Sequence, residues 1–362
     1  MSDSGTMNEA FVDLYAVPRM NETRLKNLLA RFRDPERVMD AAMSDLLEVK
    51  GVDKDLATAV RSYRRSDETE HRLKAAQALG IRTIGYTDED YPENLKQLAH
   101  MPPVLFVRGE IRPEDATAAA VVGTRMPSHY GRQVAEKLGR ELAQHGVTVV
   151  SGLARGVDTF AHKGALDGGG RTVAVLGCGV DVYYPPENRK LYDAVSAQGA
   201  VISEFSLGVE PLAMNFPKRN RVVSGLSQVV VAVEAGEKSG VLNTVAWATD
   251  QGRAVFAVPG NITSQQSLGI NRLLKNGARP MLSVDDVLYE LGVAKRADER
   301  SKVEVAADEK PVMEFLTAEP AHVDEICEGL GMPMAGLLSV LMQLEIKRLV
   351  RQLPGKYFVK EI

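Results

Sequence analysis

The stretch "VTVVSGLARGVDTFAHKGALDGGGRTVAVLG", residues 147–177, decides the fold. A short β-branched run leads into a turn of serine and glycine. A segment of helical period follows, closed by glycines, and a second β-branched run comes directly after it. That is one strand–helix–strand unit. Its apolar runs are nearly continuous rather than alternating, as in strands buried on both faces of a parallel sheet.

The same signature extends in both directions. "VLFVRG" (104–109), "AAAVVGT" (118–124), "AVISEF" (200–205), "QVVVAVEA" (228–235) and "RAVFAVPG" (253–260) read as further strands of that sheet. "YGRQVAEKLGRELAQHG" (130–146), "NRKLYDAVSAQG" (188–199) and "LNTVAWATDQG" (242–252) read as helices between them. Alternating strands and helices, with glycine closing most helices, predict an α/β domain with an open, doubly wound sheet over residues 79–292. Residues 1–78 read as a small helical domain, SAM-like or helix–hairpin–helix. Its pieces "LYAVPRMNETRLKNLL" (14–29) and "LLEVKGVDKDLATAV" (46–60) resemble each other, and such a turn can serve phosphate binding or protein contact. Residues 293–310 are charged and without period, as expected of a linker. Residues 311–362 read as helices followed by a hairpin around "LPGK", a winged-helix pattern.

Composition narrows the function classes. The 362 residues carry 44 lysines and arginines against 48 acids, a formal charge of −4. Any nucleic-acid site must therefore be local rather than a global positive field. No apolar run reaches the ~20 residues of a membrane span, and the first residues do not read as a secretory signal. The two cysteines, Cys178 and Cys327, fall in different units, have no ligand-spaced neighbour, and are expected to be inert in a reducing cytoplasm.

Ligands of a doubly wound sheet bind outside the carboxyl ends of its strands. Those ends carry Gly123-Thr124-Arg125, then Ser151-Gly152 with Arg155, then Gly177-Cys178-Gly179. A long loop ending in "FPKRNR" (216–221) and the turn Lys238-Ser239-Gly240 complete the rim. Glycine, hydroxyl and cation together suit anion capture. G-x-G-x-x-G on the first turn, a Walker-type loop and G-x-S-x-G are all missing. Asp158 and His162, spaced i, i+4, fit half a metal site or a relay, and the commoner outcome, a local hydrogen bond between them, is the expectation. No catalytic set, metal cluster or cofactor motif stands out.

In order, "VVGTR", "VVSGLARGVDTFAH", "TVAVLGCGVDVYYP", "ISEF", "FPKRNRVVSGLS", "VEAGEKSG" and "GRAVFAVPG" span about 140 residues (121–260). They resemble the DNA-processing protein A family (DprA, also called Smf). The resemblance implies an extended Rossmann-like fold that binds single-stranded DNA, protects it, and loads the RecA recombinase onto it during natural transformation. It implies a cytoplasmic homodimer joined through that fold, without cofactor or catalysis. By motif, Arg125 would hold a phosphate. Ser151 and Gly152 would do so through hydroxyl and backbone N–H. Phe216 would lie beside a base, with Arg219 and Arg221 lining the same pocket. Gly123, Lys218, Asn220, Lys238, Ser239 and Gly240 complete the expected DNA-binding set. Thr124 and Val241 depart from the family's usual small hydroxyls. The alternative for Arg219 and Arg221 is a bracing role, paired with Glu204, Glu234 or Glu237. The competing functions are a nucleotide- or nucleotide-conjugate-processing enzyme and a structural adaptor. In the C-terminal unit the second helix of the helix–turn–helix pair, near "MPMAGLLSVLMQLEIKRL" (332–349), is apolar until Lys347 and Arg348, and Glu319, Asp324, Glu325 and Glu328 lie before it. That helix is expected to be a core or partner surface, not a DNA reader.

Overall fold

The computed structural model describes residues 7–293, 305–317, 319–347 and 349–360. Most of the expected linker (294–304) and Arg348 lie outside the described residues. The central sheet has nine strands: β1 (Ile81–Gly85), β2 (Val104–Gly109), β3 (Ala118–Val122), β4 (Thr148–Ser151), β5 (Thr172–Val175), β6 (Ala200–Ser203), β7 (Val229–Ala232), β8 (Ala254–Ala257) and β9 (Arg279–Pro280). Their order is β1-β2-β6-β5-β4-β3-β7-β8-β9. From β6 to β9 all neighbours are parallel.

Two expectations are corrected here. The run "VLFVRG" is not a parallel strand: β2 runs antiparallel to both β1 and β6. Its apolar residues are buried on both faces, so its composition carries no sign of direction. The strand β1, "IRTIG", interrupts its apolar pattern with Arg82 and Thr83 and was not anticipated. The second correction concerns "FPKRNR". It is not the end of a loop but lies in a helix, Asn215–Leu226, that connects β6 to β7. Met214 precedes that helix without any side-chain cap, and Pro217 sits in its first turn, where proline is tolerated. The usual start signals are therefore absent.

The chain runs outward from β3 through β4 and β5 to β6, then returns to place β7 on the other side of β3. That reversal opens a crevice at the carboxyl ends of β3, β4 and β7. The helices His129–Gln144 and Val157–Asp167 cover one face nearby. They approach closely because Gly139 and Gly164 lack side chains: a Cβ at either would strike the other helix's backbone.

The N-terminal helices, from Glu9–Ala16 to Asp67–Ala78, share a continuous core with the sheet, in which Phe11, Leu14 and Leu25 join Phe106, Cys178 and Val201. Asn21 and Asp53 cap the helices that follow the two similar hairpins. Arg24 donates to the carbonyls of Arg19 and Gly51, and Arg19 pairs with Asp53 and Asp55, so each hairpin turn is engaged by the other. The C-terminal unit is a winged helix. Helices Lys310–Phe315, Val323–Leu330 and Met334–Ile346 pack with β10 (Ala321–His322), β11 (Val350–Leu353) and β12 (Tyr357–Lys360) around Val312, Ile326, Leu341 and Phe358. Among the described residues no single helix is long and apolar enough to cross a membrane.

Candidate nucleic-acid interface

At the strand-order reversal lies a cavity of about 600 Å³. The segment after β3 supplies Gly123, Thr124 and Arg125, and that after β4 supplies Gly152, Ala154 and Asp158. The helix Asn215–Leu226 supplies Phe216, Arg219, Asn220 and Val223. The turn after β7 supplies Ser239 and Gly240, and the helix that follows it supplies Val241, Asn243 and Thr244. Phe216, Arg219, Asn220 and Val223 recur at i, i+3, i+4 and i+7, one face of a helix, with Pro217 beside them at its start.

Arg125 and Phe216 form the mouth. The Arg125 guanidinium stands 5.4 Å over the Phe216 ring, and Tyr184 approaches the same ring at 5.7 Å, tilted by 44°. Gly177 makes this packing possible, since a Cβ there would lie 2.9 Å from Phe216 Cδ1. Arg125 is exposed and has no ion pair among the described residues. A free guanidinium beside an aromatic face presents a phosphate partner and a stacking surface together.

Because the cation cluster lies on a helix, its members diverge by about 100° per residue. Arg219 points inward and is buried. It donates to the carbonyls of Gly152, at 2.7 Å, and Val175. Burial pulls its pKa down, and the nearby Asp158 opposes that shift. Arg221 points away from the cavity. It pairs with buried Glu204, with contacts of 3.0 and 2.5 Å, and with Glu22 at 3.2 Å. The bracing alternative thus describes Arg221, which does not line the cavity. Burial pushes Glu204 up to about 7, against the pull of Arg221. Lys218 and Lys238 are exposed outside the cavity wall.

The turn after β4 also differs from expectation. Ser151 is fully buried, and its hydroxyl donates to the Val121 carbonyl at 2.7 Å. The N–H groups of Gly152 and Ala154 both donate to Asp158 Oδ2, at 3.1 and 3.3 Å. A carboxylate of the chain itself already fills the place an anion would take. The glycines here serve packing: a Cβ at Gly152 would collide with the Arg219 guanidinium, and one at Gly123 with Val157. Gly240 alone of the expected glycines faces open space.

Asp158 and His162 are not joined as expected. His162 Nδ1 meets Thr172 Oγ1 at 2.7 Å, and the Thr172 hydroxyl donates to the Val149 carbonyl. Thr172 has spent its one hydrogen, so Nδ1 carries the proton and Nε2 is a buried lone pair without a partner. Burial, with Arg219 nearby, pushes His162 down to about 3. Cys178 is buried, which pushes its thiol up to about 12. No group of three or more His, Cys, Asp and Glu among the described residues could hold a metal ion.

The expected DNA-binding set omits four neighbours of the site: Tyr184, Arg155, Asn243 and Thr244. Tyr184 lies in "VYYP" (182–185), in the long segment between β5 and the next helix, and its aromatic ring in that segment was the available signal. Arg155 lines the mouth beside Tyr184 and is engaged by Glu187. Asn243 and Thr244 face the cavity from the helix Val241–Asp250.

Comparison with known proteins gives matches along most of the chain. Residues 82–292 match the family described as DNA recombination-mediator protein A, and residues 296–356 match the DprA winged helix domain. Protein Smf of a Synechocystis strain is 32% identical, over 91% of this chain and 93% of its own length. The structure of DNA processing protein A from Streptococcus pneumoniae superposes with a TM-score of 0.69 at 30% identity, covering 80% of this chain and all of that one. That of the Helicobacter pylori protein, solved for its single-stranded DNA binding mode, gives 0.53 at 30% identity, over 58% of this chain and 95% of that one.

Proposed function

The chain belongs to the DNA recombination-mediator protein A family, and on that premise we propose that it binds single-stranded DNA at the carboxyl edge of its sheet, protects it, and loads a RecA-type recombinase onto it during natural transformation. The observation that carries the reading is the Arg125–Phe216 pair at the mouth of the cavity. In this account Arg125 takes a phosphate and a base lies against Phe216 and Tyr184. Asn220, Ser239 and Gly240 offer polar contacts along the wall. Lys218 and Lys238 add charge at the rim. Arg219 holds the DNA-facing helix against the ends of β4 and β5 rather than meeting the strand directly.

The reading involves no catalysis. Asp158 Oδ2 is committed to two N–H groups, and His162 is fully buried behind the cavity wall, which argues against either as a general base for nucleotide processing. The proposed state is a cytoplasmic homodimer joined through the sheet domain. Its support is the pair of large apolar side chains beyond β9, Leu282 and Tyr289, which are 78% and 88% exposed. Light scattering on the chain checks the dimer. The binding reading is tested by titrating salt against oligothymidylate binding. Affinity should fall with a logarithmic slope of ~0.7 per neutralised phosphate, and duplex DNA of equal length should compete weakly. Salt-independent binding, or equal competition by duplex, would count against it.

A further inference from the structure

A second phenylalanine at this edge of the sheet also carries cations. Phe160 lies in the first turn of the helix Val157–Asp167. The start of that helix is fixed to the loop after β3. The Val157 N–H donates to the Thr124 carbonyl at 3.2 Å, and Gly156, at φ 82°, is so close to Arg125 that a Cβ there would lie 2.8 Å from its Cα. The Phe160 N–H in turn donates to the Gly156 carbonyl at 3.2 Å. Phe160 therefore stands one helical turn from Gly156, which packs against the backbone of Arg125.

Its half-buried ring has Arg132 Cζ at 5.9 Å and Lys163 Nζ at 5.7 Å. Both cations are exposed, and neither has an ion pair among the described residues. Glu136, one turn along from Arg132, is engaged by Arg140 at 3.1 Å. One cation would suffice to brace the ring. Two uncompensated cations repel each other, and a phosphate between them would offset that repulsion. An aromatic flanked by cations is also what an unpaired base stacks against in sequence-tolerant strand binding. Met126, which follows Arg125 in the chain, is 81% exposed and adds apolar surface to that loop.

We propose that Phe160, Arg132 and Lys163 form a second nucleotide station, which receives a base and a phosphate of the same single strand after it passes Arg125. The inference rests on the single-strand reading above.

The test compares oligothymidylates of about 4 and about 16 nucleotides, within the range of site sizes for single-strand binders. Phe160→Leu keeps the apolar packing and removes the aromatic face. The double variant Arg132→Gln, Lys163→Gln changes only exposed side chains and keeps the test decisive if Phe160→Leu lowers the melting temperature. Both should bind the short oligomer like the unsubstituted chain and the long one about tenfold more weakly. Phe160→Trp should retain long-oligomer affinity. Arg125→Ala should weaken both lengths. Unchanged long-oligomer binding by Phe160→Leu and the double variant, with Arg125→Ala still weakened, overturns the second station alone. Equal losses on the two lengths overturn it as well. Failure of the unsubstituted chain to bind either oligomer overturns the single-strand reading, and the station with it.

Discussion

The guanidinium of Arg219 fills the space that a side chain at Gly152 would need, and it donates to the Gly152 carbonyl at 2.7 Å. One residue's missing Cβ is thus the condition for the other's position. Gly152→Ala should expel the guanidinium and break hydrogen bonds that tie the helix Asn215–Leu226 to the ends of β4 and β5. The expected cost is ~1.5–3 kcal/mol of stability, the range for a bond to a charged group, together with a loss of strand affinity. Denaturant unfolding and strand binding on the same sample check both effects. Weakened binding without any loss of stability would show that Arg219 meets the strand directly.

Arg221→Ala should be more damaging to the fold. It leaves the Glu204 carboxylate, 3% exposed, without its guanidinium. Removing one partner of a buried pair typically costs ~3–5 kcal/mol. Glu22→Gln, which removes only the half-exposed outer partner, should cost under ~1 kcal/mol. Chemical denaturation distinguishes them, and similar costs for the two would contradict the assignment of Glu204 as the main partner.

The main architecture was legible because parallel strands declare themselves by composition. Runs such as Val149–Val150 and Val229–Val231 are buried on both faces, and local sequence suffices to mark them. Direction and helix starts were less legible. Nothing in "VLFVRG" distinguishes an antiparallel neighbour, and Met214 provides no cap for the helix that carries Phe216. The site was half legible for a related reason. Arg125 and Phe216 could be placed from strand ends and motif. That Asp158 occupies the Gly152 and Ala154 N–H groups depends on the turn folding back six residues onto itself, which residue type alone does not specify.

His162 makes the fold acid-sensitive. The unfolded side chain titrates near 6.5, whereas the buried one is pushed down to about 3. Between those values the unfolded chain binds the extra proton. The stability contributed by the neutral ring is therefore complete above pH 6.5 and declines as pH falls toward 3. The limiting slope is ~1.4 kcal/mol per pH unit. Replacing His162 by Phe removes this one dependence, so the stability difference between the two proteins should change across that window and be flat above it. Urea unfolding at several pH values checks the sign. A difference that stays constant as pH moves between about 3 and 6.5 would contradict the buried neutral ring.

The winged helix should contribute little to strand binding. Its third helix, Met334–Ile346, exposes Leu338, Met342 and Ile346, and Glu319, Asp324, Glu325 and Glu328 are exposed before it. Apolar side chains gain nothing from phosphates, and four carboxylates repel them. Removing residues 309–362 should leave single-strand affinity within about twofold, well below the ~1–3 kcal/mol carried by one stacked base. Binding measured before and after removal checks this, and a tenfold loss would assign the unit a direct role.

The central claim rests on Arg125. Its side chain is exposed and free of ion pairs among the described residues, so Arg125→Ala should leave the melting temperature unchanged while weakening oligothymidylate binding by ~1.5–3 kcal/mol, the range for a charge-assisted contact. Equilibrium binding at low salt, with thermal melting of the same preparation, is the direct measurement. A weakened affinity with an intact fold is the result expected of a strand held at the cavity mouth. An unchanged affinity with an intact fold would contradict it.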